Sequence, residues 1–129
     1  MAVSEFEYGY YCNRFMQLIR SLKEELEDEK KVVAKKGTDA VFKYAAEYVE
    51  KCDIISSLED LYASTTPDIE PEIPLENIEF LLIETPHTAL SEISEHFGWN
   101  YDEDNWANVQ SEIVWAIEEM FQDAGKKHG

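Results

Sequence analysis

Carboxylates are the residues of this chain whose number and spacing could do chemistry. Glu24 and Glu27 stand three apart, as do Glu50 and Asp53, with 22 residues between the two pairs. On helices each pair shares a face, and in an antiparallel hairpin Glu24 comes opposite Asp53 and Glu27 opposite Glu50. Opposed carboxylates of this kind suit Mg²⁺, which takes a few of them together with water and phosphate. Asn100, Asp102 and Asp104 alternate like the opening ligands of a Ca²⁺ loop. Asn105, however, stands where that loop needs glycine, and Ser111 where it needs a bidentate glutamate. Glu92 and His96 are spaced i, i+4, but two ligands do not make a metal site, and a hydrogen bond on the helix surface is the plainer expectation. No serine, cysteine or threonine lies in a nucleophile motif, and the five glycines form no phosphate loop.

The Glu24, Glu27, Glu50, Asp53 pattern resembles the all-α nucleoside-triphosphate pyrophosphohydrolases, the MazG-like and dUTPase-like group. The resemblance covers about 30 of 129 residues. It implies that these four carboxylates hold Mg²⁺ on the phosphates of a nucleotide. The residues themselves also support another reading. Glu24, Glu25, Glu27, Asp28 and Glu29 run together beside Lys30 and Lys31, the signature of a solvated helix face with i, i+4 pairs. Between Lys51 and Lys126 there is no base to hold a triphosphate. A non-catalytic protein without cofactor or metal is the expectation that follows.

The elements that would position these residues are helical. Ser4 and Glu7 form a capping box. Tyr8, Cys12, Phe15, Ile19, Leu22, Leu26 and Val33 follow at helical spacing, and Lys35-Lys36-Gly37 ends the segment. Thr38 or Asp39 caps a second helix with the stripe Val41, Phe42, Ala45, Tyr48, Val49, Cys52, Ile55, Leu58 and Tyr62. So short a turn folds the two antiparallel, pairing Val33 with Val41, Leu26 with Tyr48, Leu22 with Cys52 and Ile19 with Ile55. Residues 67–74 read as an acidic linker broken by prolines. Leu75, Ile78, Leu81 and Leu82 suggest a short helix from Pro74, although Ile78, Phe80 and Leu82 also alternate as a strand would. Thr85-Pro86 reads as the start of the next helix, with Ala89, Leu90, Ile93 and Phe97 inward until Gly98. A last helix from about Asp104 buries Trp106, Val109, Ile113, Ile117, Met120 and Phe121 and stops at Gly125. The class is all-α: one domain over 1–129, with a helical hairpin (4–66), the linker, and a smaller acidic set of about three helices (75–125).

The composition, with 44% hydrophobic residues including 6 Phe, 7 Tyr and 3 Trp, is that of a folded domain rather than a disordered chain. No apolar run approaches the ~18 residues that cross a bilayer, and the N-terminus has no signal-peptide pattern. Cys12 and Cys52 lie about 15 Å out of register in the hairpin, too far for a disulfide, so two buried free thiols and a reducing, cytoplasmic compartment are expected.

Charge carries the functional reading. From Cys52 to Gly125 there are 18 acids and no lysine or arginine, whereas residues 1–51 hold ten acids against nine bases. That one stretch supplies nearly all of the net charge of −17. Such a surface repels nucleic acid and anionic lipid, and it suits a partner with a long basic groove. Duplex DNA shows one charge per ~1.7 Å, a field that carboxylates on helices can imitate. Trp99 and Tyr101, interleaved with Asp102, Glu103 and Asp104 and preceded by Glu92 and Glu95, form the candidate contact surface; aromatics anchor and acids select a cationic partner. Trp99 and Trp106 can equally plug the corner between the last two helices. The expected function is inhibition of a nuclease or similar enzyme by occupying its nucleic-acid-binding surface. In size and composition the chain looks like the small acidic phage proteins that block restriction or CRISPR nucleases, and like nuclease-toxin immunity proteins. A further expectation is a helical interaction module whose hairpin dimerises.

Overall fold

The computed structural model describes residues 5–96 and 106–128, with the side chains of Glu5, of residues 106–109 and of residues 126–128 left aside. Every regular element among them is a helix: α1 (Glu5–Lys35), α2 (Thr38–Ser64), α3 (Leu75–Glu84), α4 (Ala89–His96) and α5 (Trp106–His128). The strand alternative for 78–82 gives way to α3, because Ile78 and Leu81 are both fully buried on one helical face. The capping-box residue Ser4 lies outside the described residues.

α1 and α2 form the expected hairpin. The turn closes with Lys36 N–H donating to Val33 O (3.0 Å) and Gly37 N–H to Ala34 O (3.4 Å). Gly37 has φ 106°, a left-handed conformation that a side chain would strain. It also occupies the N-cap position of α2, where Thr38 or Asp39 was expected; Thr38 is already helical, and Asp39 lies in the first turn, where its charge suits the helix dipole. Across the hairpin Lys23 meets Glu59, and Phe15 packs edge-on against Tyr62 at 5.6 Å.

The two apolar stripes are buried at one end of the hairpin only, and the contacts across it, Lys23–Glu59, Glu29–Lys51 and Lys30–Tyr48, run several residues off the expected pairing. Phe15, Leu18, Leu22, Ile54, Ile55 and Leu58 are buried, whereas Val41 is 46% and Phe42 75% exposed. The difference has a simple cause. α3, α4 and α5 pack on the half of the hairpin that holds the chain's N-terminus, and among the described residues the turn end, 30–49, has none that is buried. The buried face of α2 is rotated as well. Glu50, Lys51 and Ser57 are buried along it, and Cys12 and Cys52 are half-buried free thiols rather than fully buried ones.

The linker is tied to α1 by two tyrosines. Tyr8 Oη donates to Thr65 O (2.8 Å) and Tyr11 Oη to Ile73 O (2.6 Å), which fixes both ends of residues 65–73. Thr85, expected to start the fourth helix, instead closes α3: its hydroxyl donates to Leu81 O (2.7 Å) and its amide to the same oxygen (3.2 Å). α4 therefore begins three residues later. α5 buries Ile113, Ala116, Ile117 and Met120, sets Phe121 edge-on to Phe80 at 5.7 Å, and runs on through Gly125. Side chains from all five helices, with Ile73 of the linker, join a single core.

Candidate partner-binding surface

Three acids of the first 51 residues, Glu25, Glu29 and Glu50, are engaged inside the fold, while Glu7, Glu24, Glu27, Asp28, Asp39 and Glu47 are exposed. The α1 carboxylate Glu25 lies across the start of α4, accepting from Leu90 N–H (2.8 Å), Ser91 N–H (3.0 Å) and the Ser91 hydroxyl (3.0 Å). Those amides have no partner within their own helix, so a carboxylate supplied by α1 serves as the N-cap and meets the positive end of the helix dipole. Lys51, 1% exposed, donates to both oxygens of Glu29 (2.7 and 2.8 Å), to Glu47 (2.9 Å) and to the Ser91 hydroxyl (3.3 Å). Burial alone would push this ammonium down. The hydrogen bonds it donates to Glu29 and Glu47 outweigh burial and hold it above the ordinary lysine value. Glu50, buried on α2, accepts from Ser94 of α4 (2.9 Å). Burial raises its pKa above the ordinary carboxylate range, against the lowering effect of that hydrogen bond. α4 is thus pinned to the hairpin by Glu25, Glu50 and Lys51.

In the part from Cys52 onward, Glu59, Asp60, Asp68, Glu70, Glu72, Glu76, Glu84 and Glu95 are exposed. Lys23–Glu59 (3.1 Å) and Arg14–Glu79 (3.7 Å) are ion pairs that α1 extends to this part. Glu118 is held by neutral donors, Asn77 and Gln122, and these hydrogen bonds lower its pKa. With no lysine or arginine from Cys52 to Gly125, the exposed carboxylates of the linker, α3 and α4 have no cation of their own segment beside them.

Of the expected contact residues, Glu95 is exposed on α4. Glu92 is half-buried, with its carboxylate accepting from the Thr88 hydroxyl (3.0 Å). His96 Nδ1 lies 2.9 Å from Glu92 O, so the expected Glu92–His96 hydrogen bond runs through the backbone and not the carboxylate. Trp99, Tyr101, Asp102, Glu103 and Asp104 lie outside the described residues, as does the Trp106 side chain.

The four carboxylates of the pyrophosphohydrolase pattern are divided. Glu50 turns inward to Ser94, and Glu27 pairs with Lys30 (3.9 Å) on the exposed side of α1. Glu24 lines a shallow cavity of about 650 Å³ with Glu25, Asp28, Glu29 and Ser91. Among the described residues no group of three or more His, Cys, Asp or Glu is placed to hold a metal ion. No described helix is long and apolar enough to cross a membrane.

Sequence reasoning missed Lys51 as the centre of a polar cluster and Glu25 as a cap. A signal for the first was available: Lys51 is the last base before 74 residues without one, and it falls beside the apolar stripe of α2. No family model matches the chain, and no curated protein or solved structure is similar enough to it to count as a match.

Proposed function

We propose that this chain is a non-catalytic acidic binding protein that inhibits a basic nucleic-acid-processing protein, a nuclease, by occupying its nucleic-acid-binding surface. Its role is that of an anti-restriction or anti-CRISPR nucleic-acid mimic, or of an immunity protein for a nuclease toxin. One observation carries the reading. The exposed carboxylates Asp68, Glu70, Glu72, Glu76, Glu84 and Glu95 of the linker, α3 and α4 stand on a segment with no base of its own, whereas the ten acids of residues 1–51 are matched by nine bases. Such an array stores self-repulsion that a cationic cleft relieves, and the counterions it releases on docking drive association.

The test is retention of partner proteins from a host lysate on the immobilised chain, followed by elution in a salt gradient. The expected result is a nuclease or other nucleic-acid-binding enzyme that leaves at raised salt and loses activity when the chain is added back. Salt-independent retention, or a captured enzyme whose nucleic-acid binding is unaffected, overturns the reading. Magnesium-dependent release of pyrophosphate from a nucleoside triphosphate would establish the pyrophosphohydrolase alternative instead.

A further inference from the structure

From Lys30 to Val49, twenty consecutive residues around the hairpin turn include none that is buried. Within them Val32, Val41, Phe42 and Val49 are 52%, 46%, 75% and 54% exposed. Val41, Phe42, Ala45 and Val49 share one face of α2, and the same twenty residues hold five lysines against Asp39 and Glu47. The turn end is therefore apolar and basic on a protein whose net charge is −17.

At the opposite end of the hairpin lies a recess of the complementary character. Tyr11, Ile69, Pro71 and Ile73 line it, together with the exposed acids Glu70 and Glu72, and its volume is about 260 Å³, room for one aromatic side chain. We propose that Phe42 at the turn end of one chain docks into this recess of a second copy, with Lys35, Lys36 and Lys43 against Glu70 and Glu72. The contact is between copies because α2 itself separates its two halves. Phe42 and Leu61, which also lines the recess, are 19 residues apart along one helix, about 28 Å at helical rise. The turn end does not pair with a copy of itself, since its lysines repel their equivalents. A knob and a recess on different surfaces make a heterologous contact. It closes if two antiparallel chains each seat the other's Phe42, and otherwise propagates.

Sedimentation equilibrium of the full chain, with no nuclease present, reads this association separately from inhibition. The expected result is a mass of at least a dimer at about 0.15 M salt, where the like net charges of the two copies are screened beyond ~8 Å and the short lysine–glutamate contacts much less so. Phe42→Ser and the double variant Glu70→Lys/Glu72→Lys alter exposed side chains only, and circular dichroism verifies that each is folded. Each alone should weaken association by about tenfold or more. Mixing the two variants should restore a complex, because one keeps an intact recess and the other an intact knob. A native chain that stays monomeric at about 0.15 M salt overturns the proposal. So do an association that survives both variants, a mixture no more associated than its components, and a turn end that binds phosphatidylserine vesicles in place of a second copy.

Discussion

Lys51 Nζ sits between the two oxygens of Glu29, 2.7 and 2.8 Å away, on a side chain 1% exposed to solvent. A buried ammonium is stable only where its protons are taken up, and here Glu29, Glu47 and Ser91 take them. Removing the cation leaves a cavity and two carboxylates facing each other without a counter-charge. Lys51→Ala should cost about 3 kcal/mol in urea unfolding, less than a fully buried pair would, because Glu29 and Glu47 keep part of their solvation. Glu29→Gln, which retains an acceptor and leaves Glu47 in place, should cost about 1 kcal/mol. The contribution of Lys51 is fully present at neutral pH and is lost as pH climbs past its raised pKa.

The cap that Glu25 places on α4 gives a second prediction. Glu25→Ala strips the Leu90 and Ser91 amides of their shared acceptor and should destabilise the protein by about 1–2 kcal/mol. Hydrogen exchange localises the effect: those two amides should lose protection first. Equal protection in variant and native chain would show that another group caps the helix.

Glu50 governs a pH dependence of opposite sign to a paired carboxylate. Its folded pKa is raised by burial, so the folded state binds a proton that the unfolded state releases. Stability attributable to this group is therefore lowest at neutral pH, and it recovers as pH falls through the raised value toward the ordinary 4.5. Glu50→Gln keeps an acceptor for the Ser94 hydroxyl and removes the charge. It should stabilise the protein by about 1 kcal/mol at pH 7 and leave it unchanged near pH 4. Thermal melts at the two pH values measure the difference.

Charge reversal at Asp102, Glu103 and Asp104 tests the acidic contact surface. The triple lysine variant should keep the helical circular dichroism of the native chain and bind the captured enzyme at least about tenfold more weakly. Its affinity should also fall less steeply with salt, by about one unit of log–log slope for each intermolecular ion pair removed. Undiminished affinity would assign binding to another part of the surface.

The helices were legible because their signals are local. Tyr8 through Leu26 keeps helical spacing, and Gly37 marks the turn; the structure places α1 and the hairpin accordingly. What sequence could not supply were choices made by tertiary contact. Thr85 has the type and position of an N-cap, yet its hydroxyl closes the preceding helix, and the vacant capping role falls to a residue 65 positions from Leu90. The stripe from Val41 to Val49 has the periodicity of a core, but periodicity does not say whether anything lies on that face. Carboxylates at E-x-x-E spacing were equally ambiguous. Their neighbours decide the outcome, sending Glu50 inward and Glu27 to Lys30.

The two tyrosine tethers hold the linker by backbone oxygens, at Thr65 and Ile73, and ask nothing of the side chains between them. Residues 66–72 can therefore exchange charge, size and shape while the path of the chain stays put. Surface substitutions there change what the molecule presents without moving the helical frame beneath it.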